Sequence, residues 1–193
     1  MPAGANDGSR NDPLAPLIRP LQWRGTLIEP RGTFIPQLLK RYQDYPLVRV
    51  VQVAVAAERA TAQLYSIAAD APNAPTFVDG LGTLDRARIE SACRDLSIPV
   101  QFIREEMVNC LPWEEIDTAF PIQEVEVLII DTEGFGIQLL NLWDWQKSQP
   151  RVVHFEHSCA PVADHTTILE QLRNLSYELV IERDNTTAYI PHN

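Results

Sequence analysis

Apolar positions along the chain switch repeatedly between a strand-like and a helix-like period. Residues 25–30 form a short apolar run closed by proline, which predicts a buried strand. Phe34, Ile35, Leu38, Leu39 and Tyr42 then recur at helical spacing, with Thr33 as the expected cap. Residues 48–55 are a second β-branched run and read as one strand, followed by a short strand over 62–66. Proline and glycine cluster between 70 and 82 and predict an irregular loop. Residues 84–96 predict a helix and 100–108 another strand.

The second half is more regular. Residues 126–131 are apolar on both faces, as a central parallel strand should be. A helix is expected over 134–143, with Ile137, Leu140 and Trp143 facing inward, and a strand over 151–156. Asp164 is the expected cap of a helix whose stripe is Ile168, Leu169, Leu172 and Leu175. Residues 177–181 and 186–190 read as an antiparallel pair turning around 183–185. Repeated β-then-α order implies right-handed crossovers and a mostly parallel sheet with helices on both faces.

Composition narrows the function. The 193 residues, 45% hydrophobic and 22% charged, suit a single ordinary globular domain. No apolar run approaches the roughly 18 residues of a membrane span. Lys+Arg 16 against Asp+Glu 26 gives −10, and the excess is local. Residues 1–100 carry 11 basic and 10 acidic side chains, residues 101–193 carry 5 and 16. That balance argues against nucleic acid or an anionic membrane as partner and admits neutral or cationic ligands. Cys93, Cys110 and Cys159 lack CxxC spacing, so neither a disulfide framework nor a zinc site is expected, and the expected compartment is the reducing cytoplasm.

In an open parallel sheet, ligands bind beyond the carboxyl ends of the strands. The residues there are Glu29, then Gln52 and Ala54, then Asp131-Thr132-Glu133-Gly134, then Glu156-His157. Several buried carboxylates cost several kcal/mol each unless paired or solvated, so the set is expected to line a wet cleft. For Asp131 or Glu133 alone, helix capping is the competing explanation. The chain opens with Gly4-Ala-Asn-Asp-Gly8, a turn that lets backbone N–H groups approach a ligand, with Asp12-Pro13 as a helix cap behind it. About twenty residues later Glu29 ends a strand, where an acid can accept both hydroxyls of a ribose.

These residues resemble the FkbM-type S-adenosylmethionine-dependent methyltransferases. The likeness rests on Gly4–Gly8 with Asp12-Pro-Leu14, on residues 23–30 and 52–55, and on Ile130-Asp-Thr-Glu-Gly-Phe135 with Pro150-Arg-Val-Val-His-Phe-Glu-His157. It implies a Rossmann-like class I methyltransferase fold, one domain over 1–193 with an insert at 66–108 on the acceptor side. It implies S-adenosyl-L-methionine as cofactor, with Gly4, Asn6, Asp7 and Gly8 around the methionine part. Glu29 would hold the ribose, Gln52 and Ala54 would border the adenine, and Asp131 would sit near sulfonium and acceptor. The acceptor implied is a hydroxyl on a small molecule or saccharide. Two positions depart from the family pattern. Pro2 stands where an acidic residue is usual, and Gly136 where another is. Only Met1-Pro2-Ala3 represent the first strand, so a late-called start or a truncated chain is expected.

For a hydroxyl acceptor the expected base is His157, because an unperturbed imidazole has its pKa near neutrality, with Asp131 or Glu133 behind it. A strand-end histidine bonded to a backbone carbonyl is the plainer alternative for His157, and His154 is expected to be a packed residue. Asp131, Glu133, Glu156 and His157 converge enough to suit Mg²⁺ or Mn²⁺, yet no ligand spacing is diagnostic and no metal is assigned. A phosphatase with Asp131 as nucleophile lacks a phosphate cradle, and Lys147 lies too near to serve it. A non-catalytic module that has lost cofactor affinity is the main rival. Trp113, Trp143 and Trp145 suit core packing better than sugar stacking.

Overall fold

The apolar runs pair into a sheet whose order is β10-β11-β9-β8-β1-β2-β3. In this computed structural model, which describes residues 1–8, 15–158 and 160–191, the strands are β1 (Pro2–Ala3), β2 (Gly25–Ile28), β3 (Val48–Val51), β8 (Val127–Ile130), β9 (Val152–Glu156), β10 (Glu178–Ile181) and β11 (Asn185–Tyr189). From β3 to β9 all pairs are parallel; β11 runs antiparallel to both β9 and β10. The Rossmann-like sheet with its C-terminal antiparallel pair is therefore as expected.

β1 is short but central. It pairs with β2 through Ala3 and Ile28, and with β8 through Pro2 and Ala3. The Met1 amine, buried, donates to the carbonyl of Val127. β8 explains why no polar alternation was visible there. Leu128 and Ile130 join a core with α5 (Gly136–Asn141), α6 (Val162–Asn174) and Phe155, whereas Ile129 joins Leu27, Leu38 and Tyr42 beside α1 (Ala15–Leu21) and α2 (Ile35–Arg41) on the other face. Trp113 of α4 (Trp113–Ile116), Trp143 and Trp145 are buried, and their indole N–H groups donate to the carbonyls of Leu139, Ser148 and Leu140. Their role is packing, with each polar edge satisfied.

Several local expectations are corrected. The 48–55 run is not one strand: β3 ends at Val51, and Ala54–Val55 (β4) enters a second sheet of order β4-β7-β5-β6. That sheet, unforeseen, comprises β5 (Ala60–Ile67), β6 (Gly82–Thr83) and β7 (Ile103–Leu111), with β5 antiparallel to both neighbours. The loop at 70–82 contains a 3-10 turn over Thr76–Gly80 and the start of β6. The strand expected at 100 begins at Ile103, after a 3-10 turn. Neither Thr33 nor Asp164 caps a helix. Phe34 and Pro161 hold those positions without side-chain hydrogen bonds, and Asp164 sits inside the first turn, where the helix dipole still favours it. Asp85 does cap α3 (Arg86–Asp95), accepting from the N–H groups of Ala87 and Arg88. The cap expected at Asp12-Pro13, and Cys159, lie outside the described residues.

Candidate active site at the carboxyl ends of the strands

Where β1 ends, the chain must turn sharply beside β8. Gly4 has φ +83, and a Cβ on it would lie 1.7 Å from the Asp131 carbonyl oxygen. Only glycine permits that approach. Gly4 and Ala5 both donate to the Ile28 carbonyl, which ties the turn to the end of β2. One residue on, Asn6 (φ +52) presents its N–H to Glu29 Oε2 at 2.8 Å. The other Glu29 oxygen accepts from the Arg31 N–H at 2.9 Å. Glu29 is only 4% exposed; burial pushes its pKa up, while the Arg31 and Asn6 amides pull it back. Each carboxylate oxygen has two acceptor sites, so one on each remains for a ligand.

These groups border a cavity of about 420 Å³, within the size range of small-molecule sites. Among the residues lining it are Gly4, Asn6, Glu29 and Asp131, Val53-Ala54, and Phe77, Gly80–Leu84 and Phe135. Asp131 and Glu133 stand together at the end of β8. Burial and the nearby Glu156 carboxylate raise Asp131 to about 6. Burial, Glu156 and Asp131 raise Glu133 to about 7, with Arg88 opposing. Both therefore exchange protons near neutrality, as a general base should. Thr132, also in the wall, keeps a buried hydroxyl that finds no hydrogen-bond partner among the described residues.

The structure brings Gly4, Asn6, Glu29, Ala54, Asp131 and Glu133 together. It does not bring Asp7, Gly8, Gln52 or His157 to the cavity wall. A Cβ on Gly8 would meet Leu38, Arg41 and Tyr42, so this glycine serves packing of the turn on α2. The Asp7 N–H donates to Asn6 Oδ1, and Gln52 is exposed. His157 turns toward α6. Its ring stacks on His165 at 4.0 Å, and Nδ1 lies 3.0 Å from Thr186 Oγ1. His154 is likewise packed, 2.9 Å from Thr187 Oγ1. Among the described residues no acidic, histidine and cysteine group is arranged to hold a metal ion.

Two arginines escaped the sequence reading. Arg31 spans the cavity edge, donating to the Asp79 carbonyl with its guanidinium over Phe34. Arg88 reaches from α3 to the Glu133 carbonyl. A signal existed for the second: a cation in the first turn of a helix opposes the dipole and asks for another reason to be there.

A parallel sheet of this order, with antiparallel β11 inserted beside the edge strand β10, a glycine turn after β1 and an acid at the end of β2, defines a Rossmann-like domain of class I methyltransferase type. The chain belongs to the FkbM methyltransferase family: the family model for the methyltransferase FkbM domain matches residues 3–179. It is also similar to a chain of the crystal structure of a fibrillarin/Nop5p complex, at 10% identity and TM-score 0.46, over 98% of this chain and 71% of that one. At that distance neither activity nor partner passes to this chain. No curated protein matches it. Among the described residues, no helix is long and apolar enough to cross a membrane.

Proposed function

We propose that the cavity binds S-adenosylmethionine and that the protein methylates a hydroxyl of a small-molecule or saccharide acceptor. The observation that carries this reading is Glu29, a buried carboxylate pinned by two backbone amides at the end of β2 with acceptor sites left over. The donor set fits the group: neutral hydroxyls for Glu29, apolar Val53-Ala54 beside a flat base, and acidic Asp131 for positive charge. When bound, the cofactor supplies an electrophilic methyl group.

The protein's part is orientation, worth about 7–11 kcal/mol in favourable cases, and proton removal. Asn6 and the Gly4 turn hold one end of the ligand, and Glu29 the hydroxyls. Asp131 and Glu133 face the acceptor and take its proton, because His157 lies outside the cavity wall. The 66–108 segment walls the acceptor side through Phe77 and Gly80–Leu84. An acidic balance of −10 supports an acceptor without a phosphate backbone.

Calorimetric titration with S-adenosylhomocysteine tests the reading. Micromolar binding is expected from the parent protein. Glu29→Gln, which keeps the side chain's size, should raise Kd by about 10–100-fold, the loss of a charge-assisted hydrogen bond. No binding by folded parent protein overturns the proposal.

A further inference from the structure

The first turn of α3 carries two arginines against the helix dipole, and they are satisfied differently. Arg86 stays on its own unit, 2.9 Å from both Glu90 Oε1 and Glu105 Oε1. Arg88 leaves it. Its Nε donates to the Glu133 carbonyl, and Nη2 stands 4.0 Å from Glu133 Oε2. The backbone it meets is unusual: Glu133 has φ +48 and Gly134 φ +90. A left-handed conformation is unfavourable for a non-glycine residue, so it persists where neighbours impose it. A Cβ on Gly134 would lie 2.5 Å from Arg88 Nε, so the glycine makes room for the guanidinium.

The contact joins two units. α3 packs on β5 and β6 of the second sheet, whereas Glu133 follows β8 of the first and lines the cavity. The charged groups facing the Glu133 carboxyl are Asp131 and Glu156 from the ends of β8 and β9, both acidic, and Arg88 from α3.

We propose that Arg88 is a positioning residue for Glu133: its guanidinium holds the 133–134 turn through the carbonyl and offers the carboxylate a counter-charge, so that the second sheet sets the acceptor-side acid of the cavity. The proposal rests on reading Glu133 as facing the acceptor. An arginine suits the task because one planar fork serves carbonyl and carboxylate together.

The direct measurement is titration of the Glu133 carboxyl carbon by NMR in carboxyl-labelled protein, with Glu133→Gln to assign the resonance. In Arg88→Gln the midpoint should rise by about half a unit to one unit, the effect of removing a partly solvated positive charge at this range. Arg88→Lys keeps charge but not the fork, and should fall between the two. If Arg88→Gln does not fold, Arg88→Met retains the packed stem and faces the same two outcomes. A midpoint within about 0.2 unit of the parent overturns the proposal, since a merely structural arginine leaves that proton alone. S-adenosylhomocysteine titration of the same samples separates the two ideas. Lost binding in the parent counts against the methyltransferase site, while the midpoint still decides the role of Arg88.

Discussion

Gly4→Ala should destabilise the protein by about 4 kcal/mol or more, a size rare among single substitutions, and should abolish S-adenosylhomocysteine binding. The added Cβ falls 1.7 Å from the Asp131 carbonyl oxygen and 2.8 Å from its carbon. Both atoms are backbone, so no rotamer change relieves the overlap. Relief requires β1 and β8 to separate, which breaks the pairing of Ala3 with Ile130 and pulls the Asp131 N–H from the Ala3 carbonyl. The φ of +83 adds roughly 1–2 kcal/mol for any side chain. Gly8→Ala provides the contrast. It shares a positive φ of +70, but its Cβ would meet side-chain atoms, Leu38 Cδ2 at 2.9 Å and Arg41 Cδ and Tyr42 Cε2 at 3.1 Å, and no backbone. These can move, so a loss of about 1–2 kcal/mol is expected. Urea unfolding of both variants beside the parent makes the comparison. Gly4→Ala within about 1 kcal/mol of the parent would mean that the turn does not hold β1 against β8.

How much of this was legible in the sequence depended on how far each signal reached. β8 announced itself because a strand buried on both faces reads as a continuous apolar run, and β9 because its apolar positions are β-branched or aromatic; the strand-end rule then pointed to Glu29, Asp131 and Glu133. The same rule singled out Gln52 and His157, which do not line the cavity. It identifies positions beyond a strand but not which way the backbone leaves it. After Glu156 the chain turns so that the His157 N–H donates to the Asp184 carbonyl, and its ring goes to α6. Residues 48–55 looked like one strand because Arg49 and Gln52 interrupt the β-branched run only singly, and no glycine or proline breaks it. The break falls at exposed Gln52, where the chain passes between sheets. The second sheet was hidden for a related reason. β5 and β7 pair over eight positions, yet one face is exposed and mixed in polarity, so neither run shows a clean alternation. The links of Arg31 and Arg88 span 48 and 45 residues, and no local pattern encodes the far partner.

Asp131→Asn should stabilise the protein at pH 8 by about 2 kcal/mol and leave it nearly unchanged at about pH 3. Burial and the Glu156 charge raise the folded-state pKa of Asp131 from 3.8 to about 6. The folded state therefore holds the proton longer than the unfolded chain. That contribution is fully present below about pH 4 and is lost as pH rises through about 6. Above that point the fold carries an ionised, half-buried carboxylate beside another, a penalty that asparagine removes. The comparison must be made against the parent at each pH. The buried Met1 amine, lowered to about 5, works in the opposite direction, and stability from that group grows as pH rises from 5 to 8. Chemical denaturation of both proteins at the two pH values isolates Asp131. The same substitution should cost affinity where positive charge is bound. Binding of S-adenosylmethionine should weaken by about tenfold, the scale of one solvent-screened ion pair. Binding of uncharged-sulfur S-adenosylhomocysteine should change far less. A stabilised variant with selectively weakened sulfonium binding would identify Asp131 as a residue kept for chemistry against its cost to the fold. Equal stability at both pH values would instead mean that the carboxylate is solvated as freely in the folded protein as in the unfolded chain.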